Sequence, residues 1–434
     1  MTVNRNDVSS SADGADIFIV TDANSPFTNF GKLSTSGIAA SAIRGAADGI
    51  SITNKGTIST SGDGSPGIIV GDIFGERYDN VSVVNYGVIS TSGNVLDDGV
   101  TLAFPDGIDT YGNNNKLINY GTISAASPDG AGMASIGMDC LLVNYGKIEA
   151  AGAGLVVDAV DGNEIHNTLI NYGQIHTTAD GSIGIVCFIG DNVAKNYGTI
   201  QADGVFSFGI ALEGDRNHGE NYGTILATGD LGRGVLLGGE EPTFDNYGTI
   251  RTTGDGSVGA RFSGDDLSGT DGGTFTNYGK IFSAGWAVRG ALADDHVVNR
   301  GALTGEVALG SGNDSYVAGK GGSLSGTLTL GNGDDVIVFE KGGGRLTVSD
   351  FVAGAGTDDV IDVGAFGFHS FAEVMSHASQ SGLDVILKFG AKDQIVLQNV
   401  SLGALAADDF EFASSLLGTA TTPAHVPQGD YLFL

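Results

Sequence analysis

The chain is poor in cysteine, proline, tryptophan and positive charge. Its 434 residues include 2 Cys, 7 Pro, 1 Trp and 20 Lys plus Arg, against 51 Asp plus Glu. The cysteines, Cys140 and Cys187, fall at different offsets within the repeat described below. Stacked repeats do not bring them together, so they read as buried free thiols and not as a disulfide. With little proline and no three-residue glycine period, the 72 Gly do not make a collagen. The net charge of -31 excludes nucleic acid and anionic lipid as partners. It suits plain solubility or the binding of cations, of which hard oxygen ligands select Ca²⁺. No run approaches the ~20 apolar residues of a membrane helix, so membrane insertion is not expected. Residues 1–20 carry one Arg and only a short apolar run, Ile17 to Val20, which does not match a secretory leader.

What the chain has is apolar material in short runs and one recurring phrase. Hydrophobic residues make up 41%, enough to exclude disorder. Asn-Tyr-Gly occurs at Asn85, Asn119, Asn144, Asn171, Asn196, Asn221, Asn246 and Asn277, with weaker copies at Asn29, Asn54 and Asn299. Successive spacings are 25, 31, 34, 25, 27, 25, 25, 25, 31 and 22 residues. A period near 25 built from strand-like runs predicts an all-β solenoid, a right-handed parallel β-helix of about eleven coils and roughly 50 Å.

One coil shows the grammar. After Asn171-Tyr172-Gly173, Ile175 marks one strand, Asp180-Gly181 a turn, Ile183 to Ile189 a second strand, and Gly190-Asp191 a turn into a third. Stacked Asn residues would bond side chain to side chain along the axis. The Gly would let the backbone bend without a Cβ clash. The Tyr column has two readings. Buried stacking is the plainer one; strict alternation from Ile175 instead turns Tyr172 outward, giving an aromatic ladder suited to sugar faces. Longer spacings place loops at Gly71–Val84, Asn94–Thr110 and Asp265–Thr276, which either contact partners or merely decorate the rod. Residues 1–28 are expected to cap the front, and residues 29–304 to form the β-helix.

Near Ala302 the pattern changes. Leu309-Gly310-Ser311-Gly312-Asn313-Asp314 is echoed by Leu330-Gly331-Asn332-Gly333-Asp334-Asp335, each followed by an apolar strand. Then come Asp350-Phe351, Gly356-Thr357-Asp358-Asp359-Val360-Ile361-Asp362, a helix candidate at Ser370 to Ser379, and Asp408-Asp409-Phe410. This succession resembles the nonapeptides and following module of the bacterial repeats-in-toxin (RTX) exoproteins, over residues 305–413. It departs from the family at Leu309 and Leu330, where the motif has Gly, and in having only two good copies. The resemblance implies a calcium-binding β-roll or β-sandwich with Ca²⁺ held at Gly310, Gly312, Asn313, Asp314, Gly331, Gly333, Asp334, Asp335, Asp358 and Asp359. It also implies export by type I secretion machinery, directed by residues 414–434, and folding only once calcium is met outside the cell. The solenoid is similar to parallel β-helices of large bacterial surface proteins.

Parallel β-helices also host polysaccharide lyases and epimerases. Clustered acid–base side chains are the requirement. The best groupings are Asp158, Asp161 and His166 with His176, and Arg233 with Arg261; none forms a clear column, so no catalytic residue is assigned. The expectation is a secreted, calcium-binding structural or adhesive protein of the bacterial surface or matrix. Its partners would be itself, in filaments or layers, or surface glycans. The runner-up is an enzyme acting on acidic glycans.

Overall fold

A computed structural model describes residues 2–72, 75–99, 101–158, 166–263, 272–356 and 359–412. Asp161, Asp358 and the tail 414–434 lie outside the described residues, as does part of the expected loop at Asp265–Thr276.

The fold is a parallel β-helix. Each coil contributes three short strands, and each strand pairs in parallel with its equivalent one coil away. Sheet A is a stack of sixteen strands running from Thr2–Asn4 to Phe410–Glu411. Sheets B (Gln174–Thr177 and its equivalents) and C (Ile183–Cys187 and its equivalents) stack beside it. They merge into one sheet because Lys280–Arg289 and Ala302–Ser311 run unbroken through both. Sixteen strands at 4.8 Å give a stack of roughly 70 Å. Eleven of the sixteen, from Phe27–Asn29 to His296–Asn299, are the expected coils of the repeat; the others keep the geometry without the Asn-Tyr-Gly phrase. Thr2–Asn4 pairs in register with Phe27–Asn29, so the stretch expected to cap the front is itself a coil. Beyond Asn299 the stack continues through Ser315–Ala318, Val336–Phe339 and Val360–Asp362.

The Asn column is continuous. Twelve buried residues from Asn4 to Asn299 stack in sheet A, each amide Nδ2 donating to the next coil's Oδ1 at 2.8–3.0 Å. Each middle amide also bonds the backbone of the Gly two positions on. The ladder ends where Ala318 takes the Asn place, and the hydroxyl of buried Tyr316 meets the Asn299 amide instead. The Gly is required by closeness: a Cβ on Gly198 would sit 2.0 Å from the Gly173 carbonyl oxygen.

Inside, sheet B lines the core with one apolar column that includes Ile148, Ile175, Ile200 and Ile225, all nearly inaccessible. Facing it, sheet C presents glycines; a Cβ on Gly184 would lie 2.3 Å from the Ile200 methyl. Removing the side chain from one wall lets the branched side chains of the other fill the axis at crystal-like density. Cys140 and Cys187 are free and buried within this core, as read from their offsets.

The preferred burial of the Tyr column is overturned. The eight Tyr rings are 41–53% exposed. Asn takes the inward place, and strand alternation sends its neighbour outward. The rings stack on one another at 4.8–4.9 Å with interplanar angles of 1–12°. Their faces are therefore already used, and only edges and hydroxyls meet solvent, so the ladder does not offer stacking platforms for sugars.

After Met375 the chain leaves the parallel scheme. The helix is confined to Phe371–Met375, with Ser370 as its N-cap. The rest of the expected helix becomes Ala378–Ser381, which turns at Gly382 (φ 64°) into an antiparallel pairing with Asp384–Lys388. That strand pairs with Gln394–Leu397, which rejoins the parallel stack beside Arg345–Val348.

Candidate functional site

Immediately before the strands of sheet A, from the middle of the stack onward, sits a second buried column. In the middle coils it is Asn115, Cys140, Asn167, Asn192 and Asn217, followed by Pro242 and Gly273, and the four Asn carry its side-chain hydrogen bonds. Each Oδ1 accepts the backbone N–H of the equivalent residue one coil earlier: Val81 to Asn115 at 2.9 Å, Asn167 to Asn192 at 3.0 Å, Asn192 to Asn217 at 2.8 Å. Each amide then donates to a carbonyl of the turn, as Asn115 and Asn217 do to the residues three positions before them. Every polar atom of these side chains is satisfied.

From Asp295 onward the column is aspartate: Asp295, Asp314, Asp335 and Asp359. The backbone task is unchanged. Asp295 N–H donates to Asp314 Oδ1 at 2.7 Å, and Asp314 N–H to Asp335 Oδ1 at 2.8 Å. A carboxylate has no hydrogen for the turn carbonyl, however. Oδ2 of Asp314 and Oδ2 of Asp335 are buried with no hydrogen-bond partner among the described residues. Burial, reinforced by neighbouring Asp residues, pushes the Asp314 carboxyl up to about 8 and the Asp335 carboxyl to about 6; burial raises Asp295 to about 7.

The sequence-predicted site residues lie on these turns. Gly310, Gly312, Gly331 and Gly333 have φ of 115°, 126°, 112° and 131°. A Cβ on Gly331 would lie 1.8 Å from the Gly310 oxygen, and one on Gly333 1.9 Å from the Gly312 oxygen, so only glycine permits the turns to stack. Asn313 and Asp334 form a parallel exposed column, with Asp334 N–H donating to Asn313 Oδ1 at 2.9 Å. Asp359 accepts from the Val352 and Asp335 N–H groups. Among the described residues no three His, Cys, Asp or Glu side chains converge on a common point. An ion here would draw one or two carboxylates plus backbone carbonyls, a donor set that suits a hard cation.

The groupings considered for catalysis do not assemble. His176 lies on the outer face of sheet B, 2.7 Å from Asp203, while Asp158 ends a strand of sheet C. His166 is exposed, 4.0 Å from Asp139. Arg261 registers with Arg289 and not with Arg233; the Arg233 guanidinium covers Phe208 at 4.9 Å.

Sheet C holds residues that the sequence reading passed over. Its outward row reads Ile69, Asp109, Ala134, Val156, Val186, Ala211 and Leu236. Asp109 thus stands where its neighbours are apolar. Asp106, three residues earlier, accepts the Ala131 N–H at 2.6 Å. Both are almost fully buried. Burial raises the Asp109 carboxyl to about 7; burial and the Asp109 charge push Asp106 well above the carboxylate range. Burial and the same carboxylates raise the Tyr111 hydroxyl. A cavity of about 390 Å³ opens on one side of this group and another of about 370 Å³ on the other; both are lined by Phe104, Asp109 and Tyr111. Recognising this required the register, in which one acid, Asp109, interrupts an apolar row.

No family model matches the chain. Over 65 residues it is 34% identical to the endo-1,3-1,4-beta-glycanase EglC of Rhizobium meliloti (strain 1021). The match spans 15% of this chain and 14% of that protein's length.

Proposed function

We propose that this chain is an exported bacterial protein of the RTX type, in which calcium secures the aspartate-bearing coils of a β-solenoid scaffold. The scaffold serves adhesion or matrix structure at the cell surface. One observation carries the reading: two buried carboxylate oxygens, on Asp314 and Asp335, have no partner where the earlier coils place an amide donor. A buried acceptor in that condition needs a proton or a cation. Calcium when bound supplies the missing positive charge, and Asp314 and Asp335 hold it beside the glycine turns of both coils. In the calcium-poor cytosol these coils would stay open, which suits passage through a type I exporter; outside, binding would stabilise them.

Calcium titration followed by circular dichroism and thermal melting tests the proposal. Expected is a rise in Tm with added Ca²⁺, reversed by chelator. Identical ellipticity and melting with and without chelator would sink it. Electron microscopy in Ca²⁺ tests the scaffold role, with filaments, layers or glycan-bound particles expected. A second reading, an enzyme acting on glycans, draws on the carboxyl-bearing cleft and on the short similarity to a glycanase. New reducing or unsaturated ends after incubation with polysaccharide would establish it.

A further inference from the structure

The two cavities on sheet C form one feature. They meet at Phe104, Asp109 and Tyr111, so a ligand longer than one ring can lie in both and pass over the Asp109 carboxyl. Asp109 is 2% exposed; the Tyr111 hydroxyl lies against its carboxyl, and its Oδ1 has no hydrogen-bond partner among the described residues. An acceptor so placed at the floor of a cleft calls for a donor from outside. The walls say what kind. Phe104, Val156 and Phe188 line the larger cavity, and Phe188 is 42% exposed. Around it are Asp106, Asp129 and Asp158, and among the described residues no Lys, Arg or His. In the smaller cavity the one basic residue, Arg44, is already paired with Asp16.

We infer that this cleft binds a chain of uncharged sugars, whose hydroxyls donate to Asp109 and Asp106 and whose C–H faces rest on Phe104 and Phe188. Hydroxyl donors match carboxyl acceptors, and aromatic walls match the apolar faces of a pyranose ring. A polyuronate is excluded by charge: its carboxylates would enter a cleft lined by Asp72, Asp106, Asp109, Asp129 and Asp158, with no unpaired cation among the described residues, on a protein of net charge -31. On this inference the site takes neutral glycans in place of acidic ones. Burial of both acids is consistent with the assignment, since a carboxyl near neutrality in charge can both donate to and accept from a hydroxyl.

This inference is independent of the calcium proposal, because the cleft belongs to the Asn-bearing coils. Its test uses the full chain in Ca²⁺-containing buffer, with folding checked by circular dichroism. The probes are β-1,3-1,4-gluco-, cello-, xylo- and manno-oligosaccharides, measured by titration calorimetry beside polygalacturonate oligomers and spermine. Expected is saturable binding of at least one neutral oligosaccharide, weakened about tenfold or more by Asp109→Asn and by Phe188→Ala. Phe188 is exposed, so that variant folds whatever Asp109→Asn does. Failure of every neutral probe, affinity unchanged in both variants, or preference for polygalacturonate or spermine would each overturn the inference.

Discussion

The Asn-bearing coils and the Asp-bearing coils perform the same backbone task with different side chains. In both, a buried Oδ1 accepts the N–H of the coil before it, at 2.7–3.0 Å in the best-formed cases. In the Asn coils the second side-chain atom is a donor, and a turn carbonyl receives it. In the Asp coils the second atom is another acceptor, and for Asp314 and Asp335 nothing among the described residues satisfies it. An unsatisfied buried acceptor costs about 1–3 kcal/mol, and more if charged. The difference is one atom per coil, N against O. It makes the Asn column self-sufficient and leaves the Asp column dependent on what the surroundings supply.

The strongest way to break this comparison is to remove that dependence. Asp314→Asn with Asp335→Asn would rebuild the upstream column. At pH 8 with chelator, the double variant is expected to melt well above the parent, by about 1–3 kcal/mol of stability per site, and to respond weakly to Ca²⁺. The pH profile has a definite sign. Both carboxyls are raised in the folded chain, so their protonated forms favour folding. That stability is fully present below the unfolded carboxylate range near pH 4 and is lost as pH rises through about 6 and about 8. Metal-free parent should therefore melt higher at pH 5 than at pH 8, and the stabilisation by Ca²⁺ should grow over the same interval. Hydrogen exchange should show residues 296–411 losing protection first. Equal melting of parent and double variant in chelator at pH 8 would mean that the orphan oxygens are satisfied by water.

The reciprocal exchange sharpens the point. Asn192→Asp with Asn217→Asp would carry the deficit into coils that lack the glycine turns of residues 310–333. A loss of about 1–3 kcal/mol per site at pH 8 is expected, smaller at pH 5. Calcium should not restore it, if the turn glycines are needed to bring carbonyls toward the ion. Full rescue by Ca²⁺ would show that the aspartates alone suffice.

The repeat made the fold legible. Asn and Gly recur because each coil must satisfy the same buried amide and make the same close approach, and the period follows from that. The number of coils was less legible. Outer coils meet the same constraints with other residues: Arg5 and Asn6 follow Asn4, and Tyr316 and Ala318 replace the Asn arrangement. The Asp motif could be read as a turn, but not as the continuation of a buried Asn column. That depends on strand register across the changed spacings near Pro242 and Gly273. The cleft was hidden for the same reason. The insertion between Asn94 and Thr110 shifts the phase of the coil, and only pairing with Ala134 and Val156 reveals Asp109 in an apolar row.

The smallest effect is expected from the most conspicuous column. Tyr197 stacks on Tyr172 at 4.9 Å and on Tyr222 at 4.8 Å. A ring pair contributes about 0.5–1.5 kcal/mol beyond burial. These rings are two-fifths exposed, and Leu would keep part of the contact, so Tyr197→Leu should cost about 1 kcal/mol. Its neighbour Asn196 is fully buried, with its amide on Asn221 and its oxygen receiving Asn171, both at 2.9 Å. Asn196→Ala should cost about 2–4 kcal/mol, because it strands buried partners on two adjacent coils. Urea melts of the two variants rank the columns. A larger loss from Tyr197→Leu would place the seam of the solenoid on its surface instead of in its amide ladder, and the contrast between Asn and Asp coils would then rest on a secondary interaction.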